Sequence, residues 1–152
     1  MDVTFINPFL AATRHTFSTM LSIDITAGTP IAQRQMKSVY DISGVIGLSG
    51  HAQGSIAISF PKKVALIIVS TLVGQSIKTV DQEVTDGIGE IANIIAGAAK
   101  KDLSRYNLSI SLPNVVVGKD HVIAAQTGVP TLIVPLESAI GGFSLEVSLK
   151  TR

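Results

Sequence analysis

The sequence predicts a single α+β domain over residues 1–152, with about six mostly antiparallel strands and three helices. Three observations carry that expectation. The run from Asp81 to Tyr106 has a helical apolar period. Two pairs of strand-like runs, Val39 to Ser49 with Gly54 to Phe60 and Thr131 to Glu137 with Phe143 to Leu149, are each joined by a connection of hairpin length. Both halves also share one order, a helix, an irregular strand and a hairpin, which suggests a weak internal duplication.

Composition narrows the class. A chain of 152 residues can bury roughly 70% of the surface its unfolded form exposes, so it needs no covalent staples. It contains no cysteine, which excludes disulfides and thiolate metal sites and fits a reducing cytoplasm. Met1-Asp2-Val3 lacks the basic start of a signal peptide, and no apolar run approaches the roughly 18 residues of a membrane span. A cytoplasmic protein without membrane insertion is expected. The net charge of +1 and the lack of a Lys/Arg stripe argue against nucleic acid as a partner. A hydrophobic fraction of 46% is high for a small domain, and apolar surface left over after core formation marks an interface, so a homodimer or a tight partner is expected.

Asn7 and Pro8 read as an N-cap and a first helical residue. Ile6, Phe9, Leu10, Thr13, Phe17, Met20 and Leu21 follow as a stripe, with His15 on the solvated side. Ile23 to Gln35, broken by Gly28 and Pro30, reads as an irregular edge strand. Val39 to Ser49 and Gly54 to Phe60 are joined through Gly50-His51-Ala52-Gln53, and Ser55, Ala57 and Ser59 alternate with Ile56, Ile58 and Phe60. Pro61 opens a second helix, apolar nearly all round from Val64 to Val73 and so expected to be buried on more than one side, and Gly74 ends it. Lys62 and Lys63 in its first turn oppose the helix dipole, so they are expected to be solvated in preference to contacting an acidic partner.

Asp81 is a plausible cap for the third helix. Val84, Ile88, Ile91, Ile95 and Ala99 form its core-facing stripe, while Asp86, Glu90, Asn93, Gly97 and Lys100 recur at spacings of four, three, four and three. That second set is a column pointing away from the core, where a partner can touch it. Glycine costs roughly 1 kcal/mol against alanine in a helix, so Gly87, Gly89 and Gly97 call for a compensation; close approach of a second protein's backbone is one. Beyond this helix, Leu108 to Leu112 and Val115 to Val117 form a strand bent at Pro113, and Val122 to Val129 is ambiguous between strand and loop. Ser138 to Gly142 joins the last two strands. Gly44-Val45 and Gly128-Val129, like Leu48 and Leu132, stand 84 residues apart; in that register Glu90 and Asn93 correspond to Ile6 and Phe9, so one site per chain is expected.

The run Asp86-Gly-Ile-Gly-Glu90-Ile-Ala-Asn93-Ile-Ile-Ala-Gly97-Ala-Ala-Lys100 resembles the E-x-x-N helix of the CheC/CheX/FliY chemotaxis phosphatases. Asn7-Pro8-Phe9-Leu10, the glycine-rich stretch Gly44 to Gly50 with Gly54, and Pro113 to Gly118 extend the likeness over most of the chain. A single motif is similar to CheX rather than to the two-motif CheC. Ala98 departs from the family's frequent asparagine, toward the core side of the helix.

The resemblance implies a CheC-like fold, a homodimer, and hydrolysis of the aspartyl phosphate on a CheY-like response regulator. An acyl phosphate already carries a good leaving group, so such an enzyme mainly has to place water in line with phosphorus. A neutral amide suits this because its oxygen accepts from water while its NH₂ donates, which makes Asn93 the candidate. By the same analogy Glu90 pairs with the receiver's lysine, and Asp86, Gly97 and Lys100 contact the partner. No metal or cofactor is expected on this chain; Mg²⁺ would belong to the receiver. Two other readings stand beside this one: a non-catalytic adaptor of the same fold that docks a receiver or flagellar-switch component, and a small-molecule pocket between sheet and helices. The bland reading of any lone E-x-x-N, two exposed residues on an amphipathic helix, is countered by asparagine's poor fit to helix interiors.

Overall fold

The computed structural model describes residues 5–33, 36–37, 40–118, 122–123 and 131–151. Its frame is one antiparallel sheet with three helices on one face. The helices are α1 (Ile6–Leu21), α2 (Lys62–Val73) and α3 (Gln82–Asp102), and α3 is followed by a 3₁₀ turn at Ser104–Tyr106. The strands are β1 (Thr26–Ala27), β2 (Ile31–Gln33), β3 (Met36–Lys37), β4 (Ile42–Ser49), β5 (Ala52–Phe60), β6 (Ser109–Ile110), β7 (Asn114–Val117), β8 (Val122–Ile123), β9 (Thr131–Glu137) and β10 (Phe143–Thr151).

The main sheet has eight strands rather than six, because each irregular run splits in two: β1 and β2 both pair with β9, and β6 and β7 both pair with β4. A separate ribbon pairs β3 with β8. The main order, β1-β9-β10-β5-β4-β6, places the two hairpins side by side through β5 and β10. Each half lends its short strands to the other half's hairpin, which is the pseudo-symmetry expected of a duplication. Gly128 and Val129 lie outside the described residues, as do His121 and most of the ambiguous run Val122 to Val129. Ile6 and Phe9, the counterparts of Glu90 and Asn93, are buried, so α1 carries no second polar pair.

Alternation decides which side chains meet the helices. Ile42, Gly44, Ile46 and Leu48 of β4, Ile56, Ile58 and Phe60 of β5, and Phe143, Leu145 and Val147 of β10 share the helix side. Phe17 of α1 lies on this layer, with ring centroids 4.9 Å from Phe143 and 6.3 Å from Phe60. Ideal Cβ geometry at Gly44 comes within 3.0 Å of Ala92 Cβ, so a larger residue there would lift α3 off β4.

The opposite face is polar yet buried. Ser43 and Ser59 hydroxyls lie 2.6 Å apart, Ser59 donates to one oxygen of Glu146 (3.0 Å) and Ser144 to the other (3.1 Å). Burial raises the Glu146 carboxyl to about 7 against those two hydrogen bonds, which pull the other way. Thr131 and Ser148 add buried hydroxyls without a hydrogen-bond partner among the described residues.

Several local expectations need correction. Helix α1 begins at Ile6 with Phe5 at the cap position, not at Asn7, and no side chain caps it. Pro8 still sits in the first turn, where its missing N–H costs nothing. Met20 is 39% exposed and leaves the core stripe. Helix α2 fully buries only Val64, Ala65, Ile68 and Val69, and Val73 is 38% exposed. Its lysines are solvated, and the Lys62 N–H donates to Asp41 Oδ2 (3.1 Å), an acid at the helix start that offsets them. The first hairpin turns over Gly50 and His51 alone, since β5 already begins at Ala52.

Candidate functional site

Helix α3 is capped as the sequence predicts: Asp81, just before its first residue, accepts at Oδ1 from Val84 N–H at 3.1 Å. Glu83 in the first turn and Lys100 and Lys101 in the last complement the helix dipole. Val84, Ile88, Ile91, Ile95 and Ala99 are all fully buried, which places the opposite column outward. On that column Asp86, Glu90 and Lys100 are exposed, and Asn93 and Gly97 are half-buried. The five predicted residues therefore share one face, running about 21 Å along the helix at 1.5 Å per residue from Asp86 to Lys100.

Glu90 and Asn93, three positions apart, are neighbours on this face, with Cβ atoms about 5–6 Å apart by helix geometry. Among the described residues neither side chain is held by a hydrogen bond or an ion pair. Asp86 is held: Gln82 Nε2 donates to its Oδ1 at 2.7 Å. A carboxylate and a carboxamide left free on a rigid helix can engage groups brought by another molecule, the first binding a cation and the second both giving and taking a hydrogen bond.

The three glycines differ in role. An ideal Cβ on Gly87 would meet Val69 Cγ2 of α2 at 2.8 Å, and one on Gly89 would meet Pro113 and Val115 at 3.4 Å. Gly87 serves packing within the chain, contrary to a shared docking role, while Gly89 is buried against Pro113 and Val115 with space for a Cβ at ordinary contact distance. Gly97 has nothing within 4 Å and remains the one glycine of α3 that leaves room for a partner.

Two grooves flank the helix. One, of 520 Å³, runs between Asp86, Gly89 and Glu90 on one side and Pro113 and Val115 on the other. The second, of 490 Å³, lies beside Gly97, Lys100 and Lys101 and is closed by Leu108 and Ile110. The face is thus acidic at one end and basic at the other, with Asn93 between. A third groove, 370 Å³ between Gly47, Ser49, Gln53 and Ser109 to Ser111, offers hydroxyls but no titratable group. Sequence reading missed the walls contributed by Pro113, Val115, Leu108 and Ile110, which come from another segment; Pro113 reads there as a strand bend and as part of the family likeness, not as a wall of the site. Among the described residues no three His, Asp or Glu side chains gather as a metal site, and no helix is long and apolar enough to cross a membrane.

A family model described as chemotaxis phosphatase CheX matches residues 42–137, more than half of the chain. A protein named CheY-P phosphatase CheX from Thermotoga maritima is 29% identical over 123 residues, covering 79% of each chain. Among solved structures, a CheC-like superfamily protein from Shewanella sp. PV-4 superposes with a TM-score of 0.89 at 33% identity, covering 99% of both chains. The CheX-CheY-BeF₃-Mg²⁺ complex from Borrelia burgdorferi contains a chain that matches with a TM-score of 0.82 at 27% identity, over 98% of this chain and 99% of that one.

Proposed function

The chain belongs to the chemotaxis phosphatase CheX family, and on that premise we propose that it hydrolyses the aspartyl phosphate of a CheY-like receiver domain. The single observation that carries the site assignment is that Glu90 and Asn93 stand side by side on the outer face of α3 with neither side chain engaged within the fold. A relative was solved bound to CheY with BeF₃ and Mg²⁺, where the beryllofluoride stands in for the phosphoryl group.

In this reading the receiver supplies the phosphoaspartate, a lysine beside it and the Mg²⁺. Glu90 pairs with that lysine and so fixes the register of α3 against the receiver. Asn93, one turn further, accepts a hydrogen bond from a water and holds it opposite the leaving carboxylate oxygen. Attack forms the new P–O bond as the P–O bond to aspartate breaks, releasing inorganic phosphate and the free carboxylate. The open face at Gly97 admits the partner's backbone, and Asp86 and Lys100 meet charges at either end. The chain itself needs no metal or cofactor, works in the cytoplasm, and assembles as a homodimer.

Phosphate release from a CheY receiver phosphorylated with a small acyl phosphate tests the proposal. The wild-type chain should accelerate release, and Asn93→Ala should lose on the order of 10²-fold in kcat while still binding the beryllofluoride-loaded receiver. Binding without acceleration by the wild type would make the chain an adaptor, and full turnover by Asn93→Ala would remove the catalytic assignment.

A further inference from the structure

The segment from the 3₁₀ turn to β7 runs antiparallel to α3 along its outer edge. Pro113 and Val115 lie against Gly89, while Leu108 and Ile110 border the groove beside Gly97. Ser111 and Leu112 lie between those two contacts along their segment, as Asn93 lies between the two glycines along α3. Leu112 is 86% exposed, the most of any large apolar side chain among the described residues.

That exposure does not come from a loose loop. Ser111 N–H donates to Gly47 O at 2.9 Å, and Gly47 N–H donates back to Ser111 Oγ at 2.8 Å. Ser111 Oγ also donates to Leu112 O at 2.9 Å, and Pro113 restricts the backbone on the other side. A leucine is therefore presented to solvent from a fixed backbone, on the stretch of chain between Ile110, which lines the basic groove, and Pro113, which lines the acidic one.

Resting on the phosphatase reading above, we infer that Leu112 is an apolar docking residue for the phosphorylated receiver, entering a hydrophobic depression next to the receiver's phosphoaspartate. Its partner surface carries, in order along α3, a cation facing Asp86 and Glu90, the apolar depression, and an anion facing Lys100 and Lys101. The charges orient the encounter, and Leu112 supplies buried area and excludes bulk water from the rim of the reacting centre.

Leu112→Ala and Leu112→Asp in the full chain test this, with phosphate release followed over a range of phosphorylated CheY concentrations. KM, and Kd for beryllofluoride-loaded CheY, should rise on the order of 10-fold for Ala and further for Asp. The kcat should stay within about twofold and the melting temperature should not change, since Leu112 touches little of its own fold. Unchanged KM in both variants, with an active wild type, overturns this inference alone. A wild type that neither binds CheY nor releases phosphate overturns the reading beneath it as well. Light scattering on the same samples covers the remaining occupant: if Leu112→Asp alters self-association and leaves KM unchanged, the leucine is a contact between copies of this chain and the inference fails.

Discussion

Gly87 of α3 faces Val69 of α2 so closely that a Cβ on Gly87 would lie 2.8 Å from Val69 Cγ2. Val69 is fully buried and β-branched, so it has little freedom to turn away. Gly97, ten residues along the same helix, faces open space.

The two glycines should therefore respond in opposite directions. Alanine gains up to about 1 kcal/mol of helix propensity at either position. At Gly87 overpacking costs about 1–3 kcal/mol, so Gly87→Ala should destabilise by about 1 kcal/mol net. Gly97→Ala should stabilise by up to about 1 kcal/mol, and the larger Gly97→Leu should fold normally while obstructing the receiver. Urea denaturation checks the first two, and a binding titration the third; a Gly87→Ala protein more stable than wild type would overturn the packing assignment.

Glu90→Ala should weaken the complex as well as slow it, because the receiver's lysine loses its counter-charge on docking. A tenfold loss of affinity, about 1.4 kcal/mol, is expected. Wild-type affinity should fall as salt is raised and the variant's should fall less. Titrations at two ionic strengths decide this, and identical salt slopes would contradict the pairing.

Glu146 makes stability depend on pH. Its carboxyl is raised from the ordinary 4.5 to about 7 in the fold, so between those values the native state holds a proton that the unfolded chain has released. The contribution is fully present below 4.5, declines as pH rises, and is gone above about 7, a span worth about 3 kcal/mol. Glu146→Gln, which keeps the shape but cannot ionise, should flatten the dependence. Tyr40 is raised as well, by burial first and then by Glu137 and Glu146, but from 10.0 upward, outside this window. Denaturation midpoints at pH 5 and pH 8 for both proteins measure the effect; equal pH slopes would sink it.

Strand β2 pairs with β9 at one end of the sheet, and its three residues are exposed, Ile31 at 52%. An unpaired apolar edge readily accepts another strand. Light scattering at tens of micromolar should give twice the chain mass of 15.9 kDa. Ile31→Lys, which charges the edge, should shift the protein toward monomer. A wild-type monomer at that concentration would argue against the dimer.

Much of α3 is legible in its local sequence. Asp81 caps through a residue three positions away, and the inward stripe and outward column follow from a period of 3.6, so the outward placement of Glu90 and Asn93 needed only local information. Local rules failed where two starts competed, as at Asn7, which lies inside a helix that begins at Ile6.

What the tertiary structure decided was the neighbour of each face. Alternation in Ser144, Glu146 and Ser148 shows that they share a side of β10, and a polar side is ordinarily wet; here it is buried, and Glu146 meets Ser59 from 87 residues away. Gly87 looks like Gly97 in sequence, and only the arrival of Val69 separates them. Leu112 reads as the end of a strand, and only the fold leaves it 86% exposed. By itself the sequence determined which residues share a face, since period and capping act within one turn or one strand. Whether that face meets core, solvent or a partner depended on contacts between segments distant in the chain, which no local pattern encodes.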